Sequence, residues 1–206
     1  MSKQFIVSVV VFAAVCVANA QSANEALFEA ARAGDVARIE AALAQGAGIN
    51  ATSRYNVTPL IFAASNGRLE AVKLLVARGA NVNAEDSFYR STAAQMALGN
   101  GHIDVALLLF QNGWDGANTL MGFGVQSDNV ALVKTALTGK VTHQAVLAAL
   151  AAAERLKRAA LIPILKAALD ALPAEPAVPA FAVDPATLGR YAGTYRTSAE
   201  IGRAHV

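Results

Sequence analysis

Cysteine is almost absent from this 206-residue chain. Cys16 is the only one, so neither a disulfide framework nor a thiolate zinc site can hold the fold. Charge is scarce as well: Asp, Glu, Lys and Arg make up 16%, the formal net charge is +2, and the cations are scattered. That leaves no electrostatic footprint for nucleic acid. Glycine shows no period of three, which excludes collagen. The three histidines, His102, His143 and His205, belong to no His-x-x-x-His pair, and no Gly-x-Ser-x-Gly, Ser-x-x-Lys or phosphate-loop spacing occurs. We therefore expect no catalysis, no metal and no cofactor. Hydrophobic residues are abundant, at 55% with alanine the commonest. Disorder needs the opposite balance. The expectation is an Ala-rich helical domain, with room at this length for a small second one.

Residues 1–20 carry one cation, Lys3, then an apolar run from Phe5 to Val17, then Ala18-Asn19-Ala20. This is the order of a secretory signal peptide, and the apolar run is short for a bilayer span. We expect cleavage after Ala20. An uncleaved helix is the alternative, and lipidation at Cys16 fits poorly because Val15 stands where a small residue is wanted. Cleavage removes Lys3 and Cys16 and leaves 16 cations, 15 anions and no thiol. The expected product is a bacterial-type periplasmic or secreted protein, not inserted in the membrane and monomeric, whose fold rests on packing alone.

An internal repeat follows. Asn66-Gly67-Arg68-Leu69-Glu70-Ala71-Val72-Lys73-Leu74-Leu75 aligns with Asn100-Gly101-His102-Ile103-Asp104-Val105-Ala106-Leu107-Leu108-Leu109, and more loosely with the stretch from Ala33 to Ala42. Gly34, Gly67 and Gly101 recur at steps of 33 and 34 residues. Gly46, Gly79 and Gly113 form a second ladder, with Asn50 and Asn83 at one offset beyond it. In the second unit Leu60, Ala63 and Ala64 line one short helix, and Leu69, Val72, Leu75 and Val76 line the next. Helices of two to three turns are marginal alone in water, so stacking must stabilise them. Thr58-Pro59 reads as an N-cap followed by a first-turn proline, and Gly67 and Gly101 read as helix terminators.

The run from Thr58-Pro59-Leu60 through Asn66-Gly67-Arg68-Leu69 to Gly79-Ala80-Asn81-Val82-Asn83-Ala84 resembles the ankyrin repeat almost from end to end. Ile61 stands where that family usually has histidine. The resemblance implies an all-α solenoid of about four to five helix-turn-helix repeats over residues 24–171, with degenerate caps. The first unit, Asn24 to Ala51, lacks Thr-Pro-Leu and reads as the N-terminal cap. Thr92 opens the third unit, with Ala93 in the proline position. A fourth is expected to begin at Thr119, after a connection holding Gly113, Trp114, Asp115 and Gly116 that is several residues short. Thr142 to Asp170 reads as the C-terminal cap, with Pro163 either kinking a helix or sitting in the first turn of a new one near Ile162.

Residues 172–186 are rich in Pro and Ala and read as a stiff linker. Residues 187–206 change to β-type composition with Tyr191-Ala192-Gly193-Thr194-Tyr195. This stretch resembles the opening strand of small β-domains appended to exported bacterial proteins, including hydrolases related to beta-lactamases. A lone strand needs a sheet, so the expectation is a truncated C-terminal β-domain. Glu200 to Val206 can be back-translated into a stretch containing the start of a short-read sequencing adapter, and the gene is then expected to continue; the alternative is a natural polar tail.

His102 opens a helix and reads as structural, and His143 lies beside a helix cap. Asp35, Glu40, Glu70 and Asp104 read as a solvated helix face. What remains lies between repeats: Arg54-Tyr55-Asn56, Phe88-Tyr89-Arg90 and Trp114-Asp115. Aromatics and arginine are the residues enriched at interface hot spots. Binding and loop packing stand about equal for Tyr55, Tyr89 and Arg90, and packing is favoured for Trp114. The resemblance implies a non-catalytic module that binds a protein partner with its concave face and loop tips. The rival is a targeting arm for a C-terminal domain that carries an enzymatic or ligand-binding function.

Overall fold

A computed structural model describes residues 21–173. The expected export signal, most of the linker and the β-type tail lie outside the described residues. Among those described, ten helices and no strand are present. The first, α1, is helical across 21–33, and the others are α2 (Val36–Ala44), α3 (Pro59–Ser65), α4 (Leu69–Ala77), α5 (Ala93–Gly99), α6 (Ile103–Gln111), α7 (Ala117–Gln126), α8 (Val130–Ala136), α9 (His143–Arg155) and α10 (Ile162–Ala171). They pair as α3 with α4, α5 with α6, α7 with α8 and α9 with α10. Successive first helices stack, α3 on α5 and α7 on α9. Second helices do the same, α2 on α4 and α4 on α6.

The alanine content is explained by this stacking. Ala63, Ala64, Ala93, Ala94 and Ala97 on α3 and α5 are all buried, and small side chains there let short helices approach closely. Larger residues from the second helices fill the layer behind: Ile39, Leu75, Val105, Leu109 and Leu132 are buried. Burying such a side chain is worth about 1.5–3 kcal/mol, which a seven-residue helix cannot obtain alone. Ile61, in the place usual for histidine, is 2% exposed and joins this core.

Caps set the boundaries. The Thr58 side chain accepts from Ile61 N–H at 3.3 Å with Pro59 in the first turn, and Thr92 forms a reciprocal capping box with Gln95. Thr142 caps α9 by accepting from Ala145 N–H. Asp35 departs from its expected place on a solvated helix face, because its carboxylate caps α2 by accepting from Arg38 N–H at 3.0 Å. Pro163 resolves to the first turn of a new helix, α10. Helix α7 starts at Ala117 rather than Thr119, with Gly116 as an N-cap that offers no side-chain bond. The cause lies in the short connection: no extended segment precedes Thr119 to hold it outside the helix.

Asparagines fasten the connections. Asn50 Oδ1 accepts from Asn81 N–H at 2.8 Å. One repeat on, Asn83 Oδ1 accepts from Asp115 N–H and its Nδ2 donates to the Gly113 carbonyl, both at 3.0 Å. At the opposite turns His102 packs on Gly67, whose φ is +65°. A Cβ there would lie 2.5 Å from the imidazole Nδ1. His102 is therefore a packing residue between repeats.

Candidate functional site

Two loops project between the helix pairs. The first finger spans residues 51–57 and the second 84–91, each leading into a capped helix. Their geometry repeats at 34 residues: Asn56 and Arg90 both take a left-handed backbone, with φ of 56° and 53°. In the first finger Ser53 N–H donates to the Val57 carbonyl at 3.0 Å. In the second, Asp86 N–H donates to the Ser91 carbonyl at 3.1 Å, beside an antiparallel bridge of Glu85 and Thr92. Ser87 N–H donates to the Tyr55 carbonyl at 2.8 Å and ties the two fingers together.

Asp86 shapes the second tip. Its side chain is 3% exposed. Oδ1 accepts from the N–H groups of Phe88 and Tyr89 at 2.8 and 2.6 Å, and Oδ2 accepts from Ser91 N–H at 2.9 Å. Burial by itself pushes this carboxyl up, but the backbone donors outweigh it and hold the group below its ordinary value of 3.8. The carboxylate is thus the hub around which the chain turns. Sequence reading missed it. The available signal was a short acid just before a turn, the residue type whose side chain bonds its own downstream backbone.

That turn leaves large rings in solvent. Tyr55, Phe88 and Tyr89 are 46%, 66% and 69% exposed, yet they pack on one another. Tyr55 and Phe88 centroids lie 5.8 Å apart at 64°, and Phe88 and Tyr89 lie 4.6 Å apart at 83°. Both are the edge-to-face geometry favoured by ring quadrupoles. The Arg54 guanidinium sits over the Tyr55 ring at 5.2 Å, and Arg90 pairs with Glu85 at 3.1 Å. Asn56 is exposed beside them. Six of the eight residues singled out in the sequence therefore form one aromatic and cationic surface on two adjacent fingers.

Trp114 and Asp115 lie elsewhere, in the short connection before α7. Trp114 is only 5% exposed, its N–H donates to the Leu109 carbonyl at 3.0 Å, and its indole lies against Gly116. It packs into the stack rather than projecting with the finger tips. Asp115 is exposed.

Among the described residues no group of three or more His, Cys, Asp or Glu could hold a metal ion. No described helix is long and apolar enough to cross a membrane. What the geometry offers is an exposed aromatic and cationic surface on two hydrogen-bonded fingers.

Comparison with known proteins agrees with this geometry. The family model for Ankyrin repeats (3 copies) matches residues 7–86 and 27–121. The chain is 38% identical over 60 residues to the "Ankyrin repeat, SAM and basic leucine zipper domain-containing protein 1" of Carollia perspicillata, covering 29% of this chain and 13% of that protein. It is 32% identical over 94 residues to "Palmitoyltransferase ZDHHC13" of Mus musculus, covering 46% and 15%. It is 42% identical over 67 residues to "Mitochondrial disaggregase" of Bos taurus, covering 32% and 10%. The chain thus spans no more than 15% of the length of these relatives. The glycine turns, Thr-capped first helices and stacked pairs are what the matched family repeats, and the chain belongs to the ankyrin repeat family.

Proposed function

We propose that this protein is a non-catalytic binding module that works outside the cytoplasm and holds a protein partner with its finger tips and concave face. The exposed trio Tyr55, Phe88 and Tyr89, ordered edge to face on two fingers, carries the reading. Exposed rings are unfavourable in water unless something covers them, and rings already fixed in place lose little freedom on binding. The rigid base is the stacked helix pairs, and Asp86 holds the tip against them. Arg54 and Arg90 add planar donors at the rim. Export follows from the signal-like residues 1–20. Mass measurement of the mature N-terminus should find Gln21 as the first residue, and an intact Met1 in the recovered protein would defeat that half of the proposal.

Capture from an exported protein fraction tests the binding half. The chain with Tyr55→Ala and Tyr89→Ala should lose a partner that the parent retains, with its helical circular-dichroism signal unchanged. Identical captures by the two would reject the surface as a binding site. A second reading has one observation in its favour: in each relative described above, the similar stretch is a small part of a longer protein. In that reading the repeats are the targeting arm of a larger exported chain, and the locus read past codon 206 would contain a further domain.

A further inference from the structure

Neighbouring fingers pair through their main chains, and the second finger has no neighbour on its far side. Ser87 N–H reaches the Tyr55 carbonyl at 2.8 Å, as adjacent strands do. Tyr89 stands one repeat beyond Tyr55, since each is followed by a left-handed residue and then, two residues later, by the threonine cap of the next helix. Its carbonyl is therefore the position a third finger would bond. The connection Gly113-Trp114-Asp115-Gly116 runs straight into α7, so no such finger exists. Among the described residues only the Ser91 hydroxyl approaches that carbonyl, at 3.4 Å. Where the second finger leaves and re-enters the stack, at Glu85 and Thr92, a cleft of about 360 Å³ opens toward the short connection, bordered also by Gln95, Trp114, Asp115 and Thr119. Its charged lining residues are both carboxylates. Glu85 already holds Arg90, whereas Asp115 has no ion-pair partner among the described residues.

We propose that an extended segment of a protein partner, bearing a lysine or arginine, takes the place of the missing third finger, donating a backbone N–H to the Tyr89 carbonyl and directing its cation at Asp115. This rests on the binding reading above and names what the partner must present. Strand addition supplies main-chain affinity whatever the side chains, and the cleft then selects by charge, since an acidic side chain there would face Asp115 and Glu85. The aromatic trio on the neighbouring tips would cover flanking apolar residues of the same segment.

Nine-residue peptides of alternating Val and Thr, with a central Arg, Ala or Glu, test this against the full chain by fluorescence anisotropy. The Arg peptide should bind at least tenfold more tightly than the Glu peptide. N-methylation at the position paired with Tyr89 should abolish binding, while N-methylation one residue away should not. Asp115→Lys should reverse the charge preference, and Asp115→Asn, a surface change that spares the fold, should reduce it. Equal binding of all three peptides, or no position sensitive to N-methylation, would overturn the proposal. So would sedimentation showing that the edge is occupied by a second copy of this chain. If Tyr55→Ala with Tyr89→Ala abolishes capture of a partner that Asp115→Lys still binds, the strand-addition inference fails and the tip surface stands. If neither variant affects capture, both fail.

Discussion

Asp86 shows how much one side chain decides at the tip. Its carboxylate replaces the strand partners that a two-legged loop lacks, taking three N–H groups that would otherwise turn to water. Asp86→Ala should cost about 0.5–2 kcal/mol, the range for removing a side chain that caps backbone donors. It should also broaden the NMR amide signals of Phe88, Tyr89 and Ser91 while leaving helix signals in place. The pH dependence has a definite sign. The folded group lies below 3.8, so its contribution is complete above 3.8 and declines as the pH falls through the folded value, because the opened loop binds the proton first. Tip amides should therefore lose protection on acidification below 3.8, and a tip unchanged through that range would contradict the assignment. Two glycines give a second contrast. Gly67 and Gly79 both have positive φ, but only at Gly67 would a Cβ strike a neighbour, the His102 ring. Gly79→Ala should cost about 1–2 kcal/mol from backbone strain alone. Gly67→Ala should cost more in urea titrations, because the imidazole that joins two repeats must move.

At the scale of elements, the helix pairs were legible where the chain itself carried the instruction. Thr58-Pro59, Thr92 and Thr142 are local signals read by backbone N–H groups three residues away, and each caps a helix, while the reciprocal bond from Gln95 was not read from the sequence. The glycine ladder fixed the turns for the same reason. The start of α7 was not legible, since it depends on what the short connection leaves out, whereas the packing favoured for Trp114 in the sequence is what its burial shows. Without a finger the chain passes from Gly113 to α7 in three residues, and the indole folds over the Gly116 backbone. A Cβ at Gly116 would overlap the Trp114 ring. Gly116→Ala should therefore expel the ring. Because Trp114 is the only tryptophan, the event is readable as a red shift in emission, with a stability loss of about 1–3 kcal/mol, as for overpacking in a core. An unshifted spectrum would mean that the connection can bend around the added methyl. Of the candidate site, the tip aromatics were legible as residue types out of place in a loop. Asp86 was missed, because a short acid before a turn is a common signal and its partners are main-chain groups that the sequence does not single out.

Across the whole molecule, stability in a solenoid is a sum over neighbours, so the weakest junction sets where it opens. Here the junction between the third and fourth pairs differs from the rest. α3 stacks closely on α5, α7 on α9 and α4 on α6, but neither α5 with α7 nor α6 with α8 is among the closely packed pairs. The finger that would bridge that joint is missing, and in its place stand Trp114, the two hydrogen bonds of Asn83 and clefts on either side of the indole. These contacts supplement a core that continues across the joint through Leu109, Leu120 and Met121. Unfolding should therefore depart from a single transition. In a urea titration, Trp114 emission should change at a lower denaturant concentration than the far-ultraviolet helical signal, because the ring reports that joint and the helices report the whole stack. Asn83→Ala should move the emission midpoint down further while shifting the helical midpoint much less. Two coincident transitions that moved together in Asn83→Ala would mean that the fourth pair is bound as firmly as the others and that the clefts beside Trp114 do not weaken the stack. Separate transitions would place the proposed strand-addition edge on the most easily opened joint of the solenoid. A partner filling that edge would then bridge the third and fourth pairs and raise the emission midpoint toward the helical one.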